Sequence, residues 1–149
     1  RPTHASSSAA SDVYKRQVDS WKPYTDILGE PYSMTEQQQE MHKFTAQHLI
    51  KYSGLKDKAV IIEKDSVEAS KEIEDVSLDF IFLDAYLDYE STMRDLETWY
   101  PKVKTNGLFT GHDWHSPTVQ KAVTEFRNKR NITENLSTFD SAWAWRKHD

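Results

Sequence analysis

The sequence predicts an α/β fold with a mostly parallel, doubly wound sheet. Short apolar segments of strand length alternate with segments whose apolar residues recur at helical spacing. The last two strand-like segments have no helix between them, which predicts an antiparallel pair at the end of the sheet. A chain of 149 residues is long enough for one domain with one core.

The first predicted elements are a strand and a helix separated by a loop. Residues 18–21 are interpreted as the end of a strand, and a loop with two prolines and a glycine follows. Ser33 or Thr35 caps a helix that runs to about Tyr52, since small hydroxyl side chains accept hydrogen bonds from free amides at helix starts.

Two apolar runs in the middle of the chain predict strands. Residues 59–62 are short, apolar and rich in β-branched side chains, which indicates a buried strand. A short helix is expected over 66–73, and a second clear strand over 78–83.

The second half of the chain continues the alternation. A helix is expected over 89–99, and Pro101 ends it. Asn106 and Gly107 predict a turn into a strand over 108–110. The remaining predicted elements are a helix over 117–130 and an antiparallel pair of strands over 132–139 and 142–147.

Composition excludes several classes of protein. The net charge of −5 disfavours a nucleic-acid or membrane-surface partner that is bound through bulk positive charge. The absence of cysteine excludes disulfide scaffolds and thiolate metal sites. No apolar run is long enough to span a bilayer and no signal peptide is recognisable, so a cytoplasmic location is expected. Only four glycines argue against a glycine-rich phosphate loop.

The first 17 residues differ from the rest of the chain. They are rich in Ser and Ala, and the string SDVYKRQ resembles translated adapter read-through. We expect residues 1–17 to be a non-native or disordered leader, with a transit peptide as the alternative. Residues 18–149 are then expected to be a partial domain that begins inside the fold.

Acidic residues follow four predicted strands. They are Asp19, Asp65, Asp84 and Asp113. Open α/β sheets bind ligands at the carboxyl ends of their strands, so these side chains predict a site at that edge. Asp65 is equally suited to capping the helix that follows it. Trp21 lies on a loop at the same edge, where stacking on a ligand is expected.

Residues 81–114, IFLDAYLDYESTMRDLETWYPKVKTNGLFTGHDW, resemble class I S-adenosylmethionine-dependent methyltransferases. The similarity is greatest to a small-molecule, family 24-like group with Asp-Ala/Gly-x-His-x-Tyr-Glu and later Gly-His-Asp stretches. This resemblance implies a Rossmann-like sheet with an antiparallel C-terminal strand pair. The sequence lacks the family's first strand and Gly-rich loop, and Leu87 stands at the position of the family's His.

The resemblance assigns cofactor contacts to residues at the strand ends. Asp19 would accept hydrogen bonds from the ribose hydroxyls of S-adenosylmethionine, with Trp21 beside it. Asp65 would contact the adenine amino group, with the Ser66 backbone amide nearby. Asp84 would lie beside the sulfonium.

The resemblance also implies a divalent cation near the methyl acceptor. Asp84, His112 and Asp113 follow neighbouring strands and offer oxygen and imidazole ligands, which suit Mg²⁺, Ca²⁺ or Mn²⁺. The alternative is a His-Asp loop that is fixed by hydrogen bonds alone. Asp84 and His112 are the candidate catalytic residues, and the sequence leaves open whether His112 is a ligand or the general base.

Three functions are compatible with these residues. The leading hypothesis is S-adenosylmethionine-dependent methyl transfer to an oxygen of a small molecule, with a divalent cation. Asp19 would also suit a nicotinamide-dependent oxidoreductase, although the terminal antiparallel pair disfavours it. The third hypothesis is a non-catalytic Rossmann-like interaction domain, which Leu87 and the missing loop support.

Overall fold

The computed structural model describes residues 15–23 and 34–148. Within these ranges, no helix has the length and apolar character needed to cross a membrane. Ser33 and residues 1–14 of the expected leader lie outside the described residues, whereas residues 15–17 of that leader belong to the first strand.

The chain divides into two compact units, residues 1–69 and 70–149. The first unit contains β1 (Lys15–Asp19), α1 (Glu36–Tyr52) and β2 (Ala59–Glu63), and α2 (Ser66–Ser70) ends at the boundary. The second unit contains β3 (Leu78–Leu83), α3 (Tyr89–Trp99), a 3₁₀ turn (Tyr100–Lys102), β4 (Val103–Gly111), α4 (Pro117–Lys129), β5 (Ser137–Phe139) and β6 (Ala142–Arg146).

In the first unit, β1 and β2 form a parallel pair with Asp19 opposite Glu63. Thr35, rather than Ser33, caps α1 among the described residues. Its side chain accepts from the Gln38 amide at 3.3 Å, while the Gln38 side chain accepts from the Thr35 amide at 2.9 Å. This reciprocal capping box satisfies amides that otherwise lack partners at the helix start.

In the second unit, the four strands follow the order β3-β4-β6-β5. β3 and β4 are parallel, whereas β6 is antiparallel to both β4 and β5. The predicted mixed sheet with an antiparallel terminal pair is therefore confirmed. The parallel β3–β4 pairing places the ends of these two strands at one edge of the sheet.

Aromatic side chains form the core of the second unit. Tyr100 meets Phe109 and Phe126 edge-on, with ring centroids 5.2 and 5.3 Å apart. Trp143 and Trp145 on β6 lie nearly parallel at 5.3 Å, and both are buried. These geometries are the favoured arrangements of aromatic pairs, and the burial of Trp143 and Trp145 places both side chains in the core.

Several local predictions are wrong in detail. The helix α2 ends at Ser70 rather than at residue 73, and β5 begins at Ser137 rather than at residue 132. Asn106 and Gly107 do not precede the strand but lie within β4, where the register with β3 is irregular and Asn106 has φ +65°. The left-handed residue is accommodated inside the strand because the Asn106 amide and the Gly107 carbonyl both pair with Lys147. Strand β2 is not fully buried, since Val60 is 41% exposed.

Candidate functional site

The candidate site lies where β3 and β4 end. Leu83 and Gly111 are opposite each other in the parallel register, so the residues that follow them emerge at the same edge. The His112 amide donates to the Leu83 carbonyl at 2.9 Å, which extends this pairing by one residue. Neighbouring strands are about 4.8 Å apart, a separation that Asp and His side chains readily bridge.

Three potential ligands converge at this edge. His112 Nδ1 lies 3.0 Å from Asp113 Oδ1 and 3.7 Å from Asp84 Oδ1. One ligand atom from each residue lies within 4.8 Å of the other two. Three ligands at about 2.1 Å from one cation have mutual separations of this order. The donor set therefore fits a cation that prefers oxygen and imidazole ligands.

The electrostatics of the cluster centre on Asp84. Burial raises the pKa of this carboxyl above its ordinary value, the His112 imidazole lowers it, and the neighbouring Asp113 carboxylate raises it again. A positive charge among these groups would offset the free-energy cost of burying the Asp84 carboxylate and would reduce its repulsion by Asp113.

The His112–Trp114 segment is held by the turn between β5 and β6. The Ser141 carbonyl accepts from the Trp114 amide at 2.8 Å, and the Ser141 hydroxyl lies 2.5 Å from His112 Nε2. The Trp143 indole donates to the His112 carbonyl at 2.9 Å. Within this segment Asp113 has φ +58°.

Gly111, which precedes this segment, occupies a position where a side chain would not fit. A Cβ atom at this position would lie 2.7 Å from the Leu83 carbonyl oxygen and would overlap the Trp143 ring. The absence of a side chain therefore allows Trp143 to pack directly on the strand that delivers His112.

The loop after β3 is fixed at several points. Asp88 caps α3 by accepting from the Ser91 amide at 2.8 Å. The Thr118 hydroxyl at the start of α4 donates to the Leu87 carbonyl at 2.5 Å. The Tyr89 hydroxyl donates to Glu125 at 2.6 Å, joining α3 to α4. The backbone that carries Asp84 is thus tied to both helices.

Apart from Asp84, which lies in the second unit, the candidate cofactor residues lie in the first unit. Asp19 ends β1, and its Oδ1 accepts from the Trp21 amide at 2.8 Å while Trp21 has φ +52°. Asp65 Oδ1 accepts from the Val67 amide at 3.0 Å, so Asp65 caps α2 as the alternative interpretation expected. Ser66 is the first residue of that helix.

The structure therefore brings together Asp84, His112 and Asp113 in the second unit. In the first unit it places Asp19 at the end of β1 and Asp65 after β2. Sequence reasoning missed Ser141 and Thr118. Both reach the site from elements distant in sequence, and nothing in their local sequence distinguishes them from ordinary turn and helix-start residues.

Comparison with known proteins gives a consistent family and fold. Residues 5–114 match the model of a family described as a methyltransferase domain. No curated protein matches the chain with significance. Among solved structures, the O-methyltransferase NovP is 21% identical with a TM-score of 0.65, over 90% of this chain and 60% of that chain.

Two further solved structures share the fold. The calicheamicin methyltransferase CalS11 is 13% identical with a TM-score of 0.62, over 90% of this chain and 60% of that chain. A methyltransferase from Geobacter sulfurreducens is 13% identical with a TM-score of 0.54, over 70% of this chain and 52% of that chain. The fold is thus the Rossmann-like methyltransferase fold, and the chain spans about 60% of the length of NovP and CalS11.

Proposed function

We propose that this chain, which belongs to the methyltransferase-domain family, acts in the transfer of a methyl group from S-adenosylmethionine to an oxygen of a small molecule. The observation that carries this proposal is the convergence of Asp84, His112 and Asp113 at the carboxyl edge of β3 and β4. NovP is named an O-methyltransferase, which favours oxygen as the acceptor atom. Family membership favours methyl transfer over the nicotinamide-dependent alternative.

The proposed cofactor contacts follow from the polar groups that lie at the ends of β1 and β2. One Asp19 oxygen is engaged by its own turn, and among the described residues the other has no hydrogen-bond partner. That second oxygen is suited to accept from ribose hydroxyls. Asp65 and the start of α2, at Ser66, would bind the adenine edge, and Trp21 would stack nearby.

The residues also fit the divalent cation that the family resemblance implies. Asp84, His112 and Asp113 would hold it, because two carboxylates and one imidazole match the preference of Mg²⁺ or Mn²⁺. When bound, such a cation would orient the acceptor hydroxyl and lower its pKa.

In the proposed reaction, a methyl group moves from a sulfonium to an oxygen by in-line displacement, which requires close positioning of the reacting atoms. Asp84 precedes the loop that Thr118 and Asp88 fix, so the backbone that carries its carboxylate is anchored close to the proposed position of the reacting groups. Asp84 and His112 are the residues proposed to touch those groups, and His112 would act there either as a ligand of the cation or as the base that takes the acceptor's proton.

Calorimetry and a product assay test this proposal. S-adenosylmethionine should bind the protein, and hydroxylated acceptors should cause release of S-adenosylhomocysteine that Mg²⁺ accelerates. Asp113→Asn should remove most of the Mg²⁺ dependence while keeping cofactor affinity, whereas the exposed carboxylate variant Asp57→Asn should behave as wild type. Failure to bind S-adenosylmethionine would contradict the proposed function, and activity that persists under exhaustive chelation would exclude a catalytic cation.

A further inference from the structure

The Ser141 side chain forms a hydrogen bond with the His112 ring nitrogen that does not face the carboxylates. Its Oγ lies 2.5 Å from His112 Nε2, while Nδ1 faces Asp113 and Asp84. We propose that Ser141 is a positioning residue that fixes the His112 ring with Nδ1 as the cation ligand. This inference deepens the proposed function and rests on its cation site.

A serine hydroxyl can hydrogen-bond to His112 Nε2 whether the ring carries its proton on Nδ1 or on Nε2. A neutral imidazole carries one N–H donor and one acceptor nitrogen, and a hydroxyl can donate or accept. Without a cation, a neutral ring in this geometry would donate from Nδ1–H to Asp113 and accept from Ser141 through Nε2. A ligating Nδ1 must carry no proton, so the ring then carries its proton on Nε2, which donates to Ser141 Oγ.

The backbone around Ser141 makes this contact rigid. The Ser141 carbonyl accepts from the Trp114 amide, two residues beyond His112. Trp143, two residues beyond Ser141, is 2% exposed and donates to the His112 carbonyl. Two short segments are thus joined by three hydrogen bonds, which hold the hydroxyl and the imidazole in register.

The two contacts of the His112 ring decide between the roles that the sequence left open for it, cation ligand and general base. With Nε2 bonded to Ser141 and Nδ1 directed at the carboxylates, both ring nitrogens of His112 are engaged. His112 is therefore the cation ligand, and the proton of the acceptor passes to another group.

Mn²⁺ binding, followed by electron paramagnetic resonance on the full chain, tests this inference without requiring turnover. Ser141→Ala should weaken Mn²⁺ affinity about 10–100-fold, the usual effect of removing a partner of a ligating His. Ser141→Thr keeps the hydroxyl and should restore most of the affinity. Ser137→Ala removes an exposed serine from the same hairpin and should bind Mn²⁺ as wild type does.

Nitrogen-15 chemical shifts of His112, assigned with a His112→Gln variant, give a second readout. The metal-free wild type should show the Nδ1–H tautomer, and Ser141→Ala should change the chemical shift of Nε2, because that nitrogen loses its hydrogen-bond partner. Equal Mn²⁺ affinity in wild type and Ser141→Ala would overturn this inference and leave the proposed function standing. No Mn²⁺ binding by the wild type would overturn both the inference and the cation site of the proposed function.

Discussion

Asp84 is a carboxylate that the fold holds at a cost in stability. Because burial raises its pKa, the folded chain binds the Asp84 proton more tightly than the unfolded chain does. The stabilisation from the protonated form is complete below the ordinary pKa of 3.8 and is lost as the pH rises through the raised folded value. At neutral pH the ionised side chain is therefore destabilising.

We predict that Asp84→Asn increases thermal stability at neutral pH and has no such effect below the ordinary carboxyl pKa. The gain should be only about 0.5 kcal/mol, because the side chain is more than half exposed and solvent screens it. Thermal unfolding with a chelator present, at several pH values, measures this difference. Asp57→Asn is the control, and an equal gain from both variants would contradict the explanation.

A second prediction concerns Asp19. Asp19→Ala should weaken S-adenosylmethionine binding by about 1.5–3 kcal/mol, the range for a hydrogen bond to a charged group. Asp19→Asn keeps an acceptor for the Trp21 amide, so its turn should remain intact while the carboxylate charge is lost. Calorimetry on both variants measures the effect, and wild-type affinity in both would remove Asp19 from the cofactor site.

Some residues of the candidate site could be assigned to it from the sequence alone, and others could not. The meeting of Asp84 with His112 and Asp113 follows from the parallel order of two neighbouring strands, which the apolar pattern predicts. The contact of Ser141 with His112 depends on the pairing of Gly111 with Trp143, between strands that a whole helix separates in sequence. No local pattern specifies that register, so Ser141 could not be assigned to the site.

Among the elements, β4 and β6 pack closely at Gly111, where Trp143 leaves no room for a side chain. Gly111→Ala should destabilise the fold by about 1–3 kcal/mol, the usual cost of an added atom in a packed interior. The added methyl group would overlap the Trp143 ring and approach the Leu83 carbonyl. Chemical denaturation measures this loss. In the double variant Gly111→Ala/Trp143→Phe the smaller ring should relieve part of the clash, and strict additivity of the two costs would argue against a direct contact.

The bounds of the elements were predicted best where a cap or a proline marks them. The α1 start at Thr35 and the α3 end before Pro101 coincide with such signals. The Asn106-Gly107 pair was misread as a turn because the same residues also suit an irregularity inside a strand, and only pairing with Lys147 distinguishes the two.

At the scale of the whole molecule, β3 lies at an edge of the four-stranded sheet that the described residues form in the second unit, and it exposes aromatic side chains. Phe80 is 54% exposed and Phe82 is 45% exposed. An apolar edge strand is a template for association with other chains. We predict that the protein self-associates, and that Phe80→Lys weakens this association at least about tenfold, since hiding one phenylalanine from water contributes about 1.5–3 kcal/mol.

Sedimentation velocity over a range of concentrations measures this effect. Phe139→Lys is the matched control, because Phe139 is 84% exposed at the opposite edge of the same sheet. If both variants reduced association equally, added charge rather than the β3 edge would be the cause. A wild-type protein that stayed monomeric at all concentrations would contradict the prediction.

The left-handed backbone at Asp113 lowers thermal stability, whereas the aspartate side chain at this position is proposed to bind the cation. A residue with a Cβ atom in this conformation costs on the order of 1 kcal/mol, whereas glycine adopts it freely. A library selected only for survival at high temperature should therefore enrich glycine at position 113, and Asp113→Gly should have a higher Tm than wild type. A selection that also demands cation-dependent turnover should keep the aspartate. The two selections would diverge at this one codon, and a Tm unchanged by Asp113→Gly would show that the conformation carries no such cost.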